Sequence, residues 1–368
     1  MWQISEHTRW PLLEKEFDWI RDMKGVPQDP RHHAEGDVAT HTEMVLKALE
    51  QVSGYQELST QDQQVLRAAT LLHDVEKRST TVTEPDGSIT SKGHAKKGAL
   101  TSRSILYRMA APFQPRESIC SLVRYHGLPL WALEREDPQK AVIRASLQVD
   151  TKLLAMLAYA DILGRIAHDQ KELLYRIGLF QALCEETGCW GRPYHFTTPN
   201  ARFYYFQKED GYPDFVPFDD FGSTVVLLSG LPGAGKDTYT KQHYKDWPVI
   251  NLDDIRRAYK ISPTNRSGNG TVVQLAKEKA REYLRIKKDF VWNATNITRQ
   301  MRDQLIQLFV TYKAFVRIVY IEVAYERLHH QNNNRTAVLP RPVIEKLINK
   351  LEVPLPEEAH EVRYFLGP

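Results

Sequence analysis

The sequence predicts two domains, an all-α bundle followed by an α/β domain with a parallel sheet. Residues 1–188 carry apolar residues at helical spacing and almost no strand signal. From residue 223 to residue 368, apolar runs rich in β-branched residues alternate with helical segments, which is typical of a parallel sheet flanked by helices. A chain of 368 residues is long enough to form both hydrophobic cores.

The composition is that of an ordinary globular protein, with 42% hydrophobic and 26% charged residues. The net charge of +3 is too small to indicate a nucleic-acid partner by itself. Cys120, Cys184 and Cys189 follow no disulfide or metal spacing, which favours a reducing compartment. The N-terminus lacks the pattern of a signal peptide, and no apolar run is long enough to cross a membrane. We therefore expect a cytoplasmic protein with no membrane partner.

The first domain is predicted to be a bundle of amphipathic helices. Val38, His41, Val45 and Leu49 illustrate the pattern, because spacings of three and four place them on one helical face. Asp37 precedes this segment and is expected to cap it. The predicted helices cover residues 10–23, 37–52, 62–75, 94–111, 117–127 and 141–166.

Several imidazole and carboxylate groups occupy inward or terminal positions of separate predicted helices. A single histidine on an apolar face is most often a hydrogen-bonded core residue. A set of such residues is different, because converging imidazole and carboxylate groups suit a divalent transition metal. Such a metal lowers the pKa of a bound water, which can then attack phosphorus. The members of this set are His41, His73, Asp74, His126 and Asp161.

The spacing of these residues resembles the HD phosphohydrolase superfamily. The doublet His73-Asp74 is the centre of the motif, and Lys77 matches a lysine that commonly follows it, although Glu76 replaces a usual glycine. The resemblance implies that Lys77 binds the substrate phosphate. It also implies a bound Mn²⁺, Ni²⁺ or Co²⁺, with His41, His73, Asp74 and Asp161 as ligands.

Residues 33–42 and 160–165 are similar to the HD domain of bacterial CCA-adding enzymes. In those relatives the domain removes 2′-phosphates and opens 2′,3′-cyclic phosphates, so the resemblance implies RNA ends as substrates. His33 would be a metal ligand or a general acid. His94 and His126 match extra histidines that bind either a second metal or a phosphate.

Residues 189–222 are predicted to form a packed connector containing one strand or hairpin. Its prolines argue against a helix, and its many aromatic residues argue against a flexible tether. These aromatic side chains are expected in a core; the alternative is that they stack on nucleobases.

A glycine-rich turn follows an apolar strand at residues 225–228 and leads into a predicted helix. Glycine lacks a Cβ, so the backbone N–H groups can surround phosphate oxygens, and Lys236 can reach the β- and γ-phosphates. Asp237 occupies the position of the usual Ser or Thr that touches Mg²⁺, so the ion could be held through water, by Asp237 or by Thr238. The predicted nucleotide-binding residues are Gly230, Gly233, Ala234, Gly235, Lys236, Asp237 and Thr238.

Further strands are predicted at residues 249–252, 290–293 and 316–323, with the active site at their carboxyl ends. Asp253 follows the second strand, where a kinase needs a base for the acceptor hydroxyl, and Arg256 lies one helical turn later. This pair resembles the Asp-Asp-x-Arg motif of phage and bacterial 5′-polynucleotide kinases. The resemblance implies that Asp253 receives the proton of a 5′-hydroxyl and that Arg256 binds the acceptor phosphate.

The segment after the third strand resembles the Asp-x-Thr-Asn segment of the same kinases. Asn293 stands where relatives often have aspartate, and Thr295 and Asn296 are expected near the acceptor. Arg299 and Arg302 either contact nucleic-acid phosphates or lie on a solvated helix face.

A polar segment at residues 329–340 is predicted to be a lid, and Arg335 resembles the lid arginine that neutralises the transferring phosphoryl group.

Together the two halves resemble the bacterial HD-domain phosphatase–polynucleotide kinase family. The resemblance implies an RNA end-healing enzyme that uses Mg²⁺ with ATP or another NTP, acts on RNA or DNA ends and precedes an RNA ligase. One alternative is a small-metabolite or nucleoside kinase fused to a nucleotide phosphohydrolase. The other is a kinase regulated by a non-catalytic HD sensor.

Overall fold

The structure is a computed structural model that describes residues 1–261, 265–334 and 338–367. The chain divides into two compact units, Met1–His195 and Phe196–Pro368. The first unit is built from helices and the second is α/β with a parallel sheet, so the predicted fold classes are confirmed. The predicted connector, residues 189–222, spans the boundary between these units. Among the described residues, no helix is both long and apolar enough to cross a membrane.

The first unit consists of short and medium helices with one small hairpin. Strands β1 (Val82–Thr83) and β2 (Ile89–Thr90) form an antiparallel pair around the turn at Gly87. The helices are α1 (Trp10–Glu16), α2 (Asp18–Arg21), α3 (Val38–Leu49), α4 (Thr60–Leu72), α5 (Lys77–Thr80), α6 (His94–Arg108), α7 (Phe113–Tyr125), α8 (Leu128–Trp131), α9 (Pro138–Ser146), α10 (Thr151–Leu163) and α11 (Gln170–Glu186).

Helix α10 is the buried centre of this unit. Its own buried, mostly apolar residues lie on all of its faces, as expected for a helix enclosed by others. The prediction of one continuous helix over residues 141–166 was wrong. Two helices, α9 and α10, cover this region, and Asp150 lies between them. The Asp150 carboxylate accepts hydrogen bonds from the backbone N–H groups of Lys152 and Leu153, at 2.8 and 3.4 Å, and starts α10 as a new helix.

A close contact packs Gly164, directly after α10, against Val45 in the middle of α3. A Cβ on Gly164 would lie 2.6 Å from both the Cα and the backbone nitrogen of Val45, so only glycine allows this approach. Asp37 caps α3 as predicted, accepting from Thr40 N at 2.8 Å. The contact places Asp161, one turn before Gly164, beside His41 of α3.

The second unit contains a five-stranded parallel sheet in the order β4-β5-β3-β6-β7. The strands are β3 (Ser223–Ser229), β4 (Val249–Asn251), β5 (Phe290–Asn293), β6 (Ala314–Glu322) and β7 (Glu361–Leu366). The helices are α12 (Pro199–Gln207), α13 (Lys236–His243), α14 (Leu252–Ala258), α15 (Arg266–Arg285), α16 (Arg299–Thr311), α17 (Tyr325–Asn333) and α18 (Arg341–Ile348). The edge strand β7 was not predicted, because its exposed polar and aromatic residues lack the apolar pattern of a buried strand.

The connector prediction was wrong in its secondary structure, because α12 lies where prolines seemed to exclude a helix. Pro199 occupies the first helical position, where no N–H is required, and Thr198 caps the helix by accepting from Ala201 N at 3.0 Å. Phe203 and Tyr205 are buried as expected of core residues, and Phe203 packs into the core of the second unit.

Candidate functional site

The predicted metal ligands of the first unit converge in a buried cluster. His41 comes from α3, His73 and Asp74 follow α4, and Asp161 lies on α10. His94 begins α6 and His126 follows α7. The described residues form three groups of possible ligand atoms that lie within 4.8 Å of one another, and two of these groups consist of the predicted ligands. The first group is His41, His73 and Asp161, and the second is Asp74, His94 and His126.

The carboxylate of Asp74 lies between these two groups. Its Oδ2 is 3.3 Å from His73 Nε2 and 3.8 Å from His41 Nε2. Its Oδ1 is 3.4 Å from His94 Nε2 and 3.9 Å from His126 Nε2. The imidazole nitrogens of His94 and His126 are 3.2 Å apart. A carboxylate with one oxygen toward each group can bridge two cations.

The backbone fixes the orientation of the three histidines at helix ends. The Nδ1 atoms of His73, His94 and His126 each contact a carbonyl oxygen three residues earlier in the chain. Because a carbonyl only accepts, Nδ1 carries the proton and the Nε2 lone pair is directed into the cluster. The acceptors are Thr70 at 2.7 Å, Ser91 at 2.7 Å and Val123 at 2.9 Å.

The cluster contains polar atoms that a metal would satisfy. Nε2 of His41, Nε2 of His73 and Oδ1 of Asp74 are buried and make no hydrogen bond among the described residues. His41 Nε2 lies 3.1 Å from Asp161 Oδ1, a distance that two ligands of one ion can share. An unsatisfied buried polar group costs about 1–3 kcal/mol. Mixed nitrogen and oxygen donors of this kind fit a divalent transition metal.

The charges in the cluster favour ligand forms. Burial, with a further contribution from His94, lowers the pKa of His126 to about 3, so its imidazole is neutral at pH 7. Burial opposes ionisation of Asp74, but Lys77 and His73 keep the pKa of this carboxyl well below its usual value. For His73, burial lowers the pKa, and the facing carboxylates of Asp74 and Asp161 together raise it. A bound cation would reverse that last shift.

Glu35 is a component of the site that the sequence interpretation missed. Its Oε1 accepts from His41 Nδ1 at 2.8 Å and from His33 Nδ1 at 2.9 Å, and its Oε2 accepts from Ile166 N at 2.9 Å. Its only sequence signal was its place within residues 33–42, the segment that is similar to CCA-adding enzymes. Burial lowers the pKa of His33 to about 4 despite this carboxylate. A neutral His33 with its proton on Nδ1 suits a ligand or base better than a general acid.

Two basic side chains, Lys77 and Arg165, neutralise the buried carboxylates of the cluster. Lys77 Nζ lies 2.8 Å from Asp74 Oδ2 and donates to Gln28 Oε1 at 2.7 Å. Arg165 binds Asp161 through two hydrogen bonds, at 3.0 and 2.5 Å. Arg165 was present in the resembling segment, residues 160–165, but had been given no role.

A cavity of about 510 Å³ opens onto the metal cluster. Its cationic lining is Lys77, Arg124, Arg135, Arg144 and Arg165. Among the described lining residues, the carboxylates are only Asp74 and Asp161, which belong to the cluster. Trp131 and Tyr125 provide aromatic surface on its wall. The cavity therefore suits an anionic substrate that also has a planar group.

The glycine-rich turn of the second unit lies between β3 and α13. A Cβ on Gly230 would lie 2.3 Å from Ile321 O, and its φ of +151° is in the region that favours glycine. Gly233 and Gly235 also have positive φ, and Ala234 is buried. Lys236 Nζ donates to Gly230 O and Leu231 O, both at 2.9 Å, so the lysine folds back over its own loop.

Polar residues follow β4 and β5 at the same edge of the sheet as the loop. Asn251 caps α14, which places Asp253 in its first turn. Arg256 NH1 contacts Asp253 Oδ1 at 2.5 Å, so the predicted base and acceptor clamp pair with each other. Thr295 is half-buried, and its carbonyl oxygen accepts from Gly230 N at 2.9 Å.

Arg302 and Asn296, which were expected near the phosphate acceptor, are buried inside the protein. Arg302 is fully buried and makes two hydrogen bonds to Glu358, at 2.6 and 2.9 Å, so both predicted alternatives for it were wrong. Asn296 is buried, and its side chain donates to Leu228 O at 2.7 Å. These side chains connect the strand ends within the protein. Arg299 is half-exposed and lies 3.5 Å from Glu357.

Arg335 lies outside the described residues. Helix α17 (Tyr325–Asn333) extends over the start of the predicted lid, so residues 329–333 form a helix and not a loop. Thr238 is exposed in the first turn of α13.

Comparison with known families agrees with this geometry. Residues 38–163 match the family model of the HD domain, and residues 225–354 match a family model described as an AAA domain. The chain therefore combines a helical HD domain with an α/β domain of the P-loop kinase-like type. Both predicted resemblances are confirmed at this level.

Known relatives match the HD half. A multifunctional CCA protein of Halorhodospira halophila is 36% identical over 110 residues, which are 30% of this chain and 24% of that protein. Another, from Methylococcus capsulatus, is 34% identical over 116 residues, which are 32% of this chain and 25% of that protein. The chain thus spans about a quarter of the length of these relatives.

A solved structure, described as that of a candidate kinase from Chloroflexus aurantiacus, has 12% identity and a TM-score of 0.34. The match covers 40% of this chain and 86% of the Chloroflexus chain. A likeness of this size carries no argument about function.

Proposed function

We propose that this protein heals RNA ends with two separate active sites. The P-loop domain transfers the γ-phosphate of an NTP to a 5′-hydroxyl end. The HD domain removes a 2′-phosphate or opens a 2′,3′-cyclic phosphate at the other end. The observation that carries the proposal is the metal-ligand cluster that opens into an arginine-lined cavity, on the same chain as a P-loop.

In the HD site, a divalent metal held by the His and Asp cluster supplies a Lewis acid for phosphate ester hydrolysis. Lys77 and Arg165 neutralise the ligand carboxylates and contribute positive charge to the cavity wall. A scissile phosphate would bind on this cationic surface next to the cluster. His33 Nε2 is unprotonated when Nδ1 donates to Glu35, so it can serve as a ligand or accept a proton.

In the kinase site, Asp253 accepts the proton of the 5′-hydroxyl, and Arg256 binds the phosphate next to it. Lys236 leaves the loop carbonyls to bind the β- and γ-phosphates of the Mg²⁺-bound NTP. Arg335 neutralises charge on the transferring phosphoryl group. Thr295 and Arg299 remain candidates for binding the RNA that accepts the phosphate.

The charge of the HD cavity supports a polynucleotide over a mononucleotide. A cyclic mononucleotide carries one phosphate, whereas an RNA end brings further phosphates that can contact Arg124, Arg135 and Arg144. Each neutralised phosphate makes binding more sensitive to salt. Only RNA has the 2′-hydroxyl needed for a 2′,3′-cyclic phosphate, which favours RNA over DNA at this site. Water opens the cyclic phosphate to a 2′-phosphate, and a second hydrolysis releases this group as inorganic phosphate. The products are a 2′,3′-diol at one end and a 5′-phosphate at the other, which are ends that an RNA ligase can join.

The test is incubation with a short RNA that bears 5′-hydroxyl and 2′,3′-cyclic phosphate ends, with labelled ATP and each divalent metal. We expect 5′-phosphorylation and loss of the cyclic phosphate, with the second reaction dependent on a transition metal and more salt-sensitive than hydrolysis of 2′,3′-cyclic AMP. Better turnover of mononucleosides and cyclic mononucleotides would favour the small-metabolite alternative. Tight nucleotide binding to the HD domain without turnover would favour the sensor alternative.

A further inference from the structure

Two departures from the usual P-loop pattern contact each other. Asp237 occupies the position that is usually Ser or Thr, directly after the P-loop lysine. Asn293 occupies the carboxyl end of β5, the strand next to the P-loop strand β3. The Asn293 Nδ2 atom donates a hydrogen bond to Asp237 Oδ1 at 2.6 Å.

The usual arrangement has the opposite polarity. In P-loop NTPases a Ser or Thr hydroxyl on the helix and an Asp at the end of a strand hold the Mg²⁺ of the nucleotide. That pair carries one negative charge, on the strand. The Asp237–Asn293 pair also carries one negative charge, but on the helix.

We infer that the two positions have exchanged their charge. Asp237 supplies the anionic ligand to the Mg²⁺ of the bound nucleotide, and Asn293 orients it. The inference rests on the proposed function only in that the loop binds a Mg²⁺–NTP. It requires no particular phosphate acceptor.

The surroundings of the two side chains explain why the exchange is coupled. An aspartate at position 293 would place a second carboxylate 2.6 Å from Asp237, and two such charges repel strongly at this distance. An amide instead donates a hydrogen bond to the carboxylate. Asp237 therefore requires a neutral donor at position 293.

Burial also favours the observed arrangement. Asn293 is 5% exposed, whereas Asp237 is exposed. An ionised carboxylate loses less hydration at the exposed position. Asn293 engages Oδ1 of Asp237, and no other hydrogen bond or ion pair to Asp237 occurs among the described residues, so Oδ2 is left for a cation.

A simpler explanation is that Asp237 only stabilises the start of α13, where an acidic residue interacts favourably with the helix dipole. That explanation makes the effect of Asp237 independent of position 293 and of Mg²⁺. Charge exchange requires that the effect of Asp237 depend both on position 293 and on Mg²⁺. Measuring these two dependences therefore distinguishes the two explanations.

The experiment measures the affinity of the full-length protein for ATP by calorimetry, in Mg²⁺ and in EDTA, without an acceptor. The ratio of the two dissociation constants gives the Mg²⁺ enhancement of binding. Asp237→Ser and the isosteric Asp237→Asn should each reduce this enhancement about 10- to 100-fold, the loss expected for a perturbed metal site. The double variant Asp237→Ser with Asn293→Asp should restore it to within about threefold of wild type, since it recreates the usual pair.

Asp246→Ser is the matched control, because it removes an exposed aspartate outside the loop, and it should leave the enhancement unchanged. An unchanged enhancement in Asp237→Asn overturns the inference. So does a double variant that remains as impaired as Asp237→Ser. If the exchange is found but no phosphate reaches a 5′-hydroxyl RNA, the end-healing proposal fails and this inference stands.

Discussion

The two candidate sites differ in how their functional groups are held before any substrate binds. In the HD site, His73 and Asp74 are buried, and each is oriented by a partner that is not a substrate. In the P-loop site, Lys236 binds its own loop, and Asp253 and Arg256 bind each other. The HD site is thus preorganised, whereas the kinase site has to exchange internal contacts for contacts with the nucleotide and the acceptor.

Burial explains this difference. Buried polar groups need partners in every state of the protein, so their orientation is fixed by folding. The pair of Asp253 and Arg256 is partly exposed, and such pairs contribute only about 0–1 kcal/mol. A substrate phosphate or hydroxyl can therefore replace one partner at little cost. The comparison predicts that substitutions in the HD cluster perturb metal binding, whereas substitutions of Asp253 or Arg256 perturb turnover.

The largest effect is expected from Asp74→Ala, because this carboxylate contacts both ligand groups. Loss of metal-dependent Lewis acid catalysis, worth several kcal/mol, should reduce release of phosphate from a 2′,3′-cyclic RNA end by about 1,000-fold or more. Transfer of labelled phosphate to a 5′-hydroxyl should stay unchanged. Loss of both activities together would contradict independent sites.

Asp253→Asn should lower the rate of 5′-phosphorylation by about 100-fold or more, the usual contribution of a general base. The affinity for ATP should change little, since in the proposed mechanism Asp253 contacts the acceptor and not the nucleotide. The control is Asp254→Asn, which alters the neighbouring exposed aspartate that pairs with Arg257. Undiminished transfer by the Asp253 variant would refute the assignment of the base.

Glu35→Gln should weaken transition-metal affinity by about 10- to 100-fold, as expected for a residue that orients a ligand. The amide of the variant lacks the negative charge of the Glu35 carboxylate. It therefore accepts the hydrogen bonds from His33 Nδ1 and His41 Nδ1 less strongly. Metal titration by calorimetry measures this effect. The control is Glu43→Gln, which alters a partly exposed glutamate of α3 that pairs with Lys47. Equal affinities in Glu35→Gln and wild type would mean that the His41 orientation does not depend on Glu35.

The last prediction concerns folding stability and not activity, and it involves His360, a buried histidine that we assign to structure. Its Nδ1 accepts from Val316 N at 3.0 Å, the opposite polarity to the Nδ1 atoms of the HD cluster. Burial lowers the pKa of His360 to about 4, from 6.5 in an exposed imidazole. Below pH 6.5 the unfolded chain gains this proton and the folded chain does not, so the free energy of unfolding falls until pH 4.

This loss should reach on the order of 3 kcal/mol at most. His360→Gln keeps a hydrogen-bond acceptor but does not titrate, so urea unfolding of the variant should depend less on pH between 4 and 6.5. Above pH 7 the contribution of this proton vanishes in both proteins. Identical pH slopes for the variant and wild type would contradict a neutral, buried His360.

Local patterns in the sequence were sufficient for much of the fold and for the choice of residues that converge in the HD cluster. The Asp37 cap, the parallel strands and the glycine turn each depend on neighbouring residues, and so does the doublet at the end of α4. Candidate ligands on separate helices were recognised because their residue types at helix ends fit one metal chemistry.

Contacts between distant residues set the limit of this prediction. Arg302 resembled a phosphate-binding residue until the structure placed Glu358, 56 positions later, against its guanidinium. Glu35 was visible in the sequence, but its role depends on the approach of His33 and His41 in space. The contact of Asp237 with Asn293 likewise joins two positions that had been noted separately as departures from the usual pattern.

The most direct test of the account is an anomalous difference map from crystals of the full-length protein grown with Mn²⁺. A preorganised HD site predicts a peak bounded by His41, His73, Asp74 and Asp161, with those side chains in the same positions in metal-free crystals. An absence of bound metal together with undiminished release of phosphate from RNA ends would contradict the account.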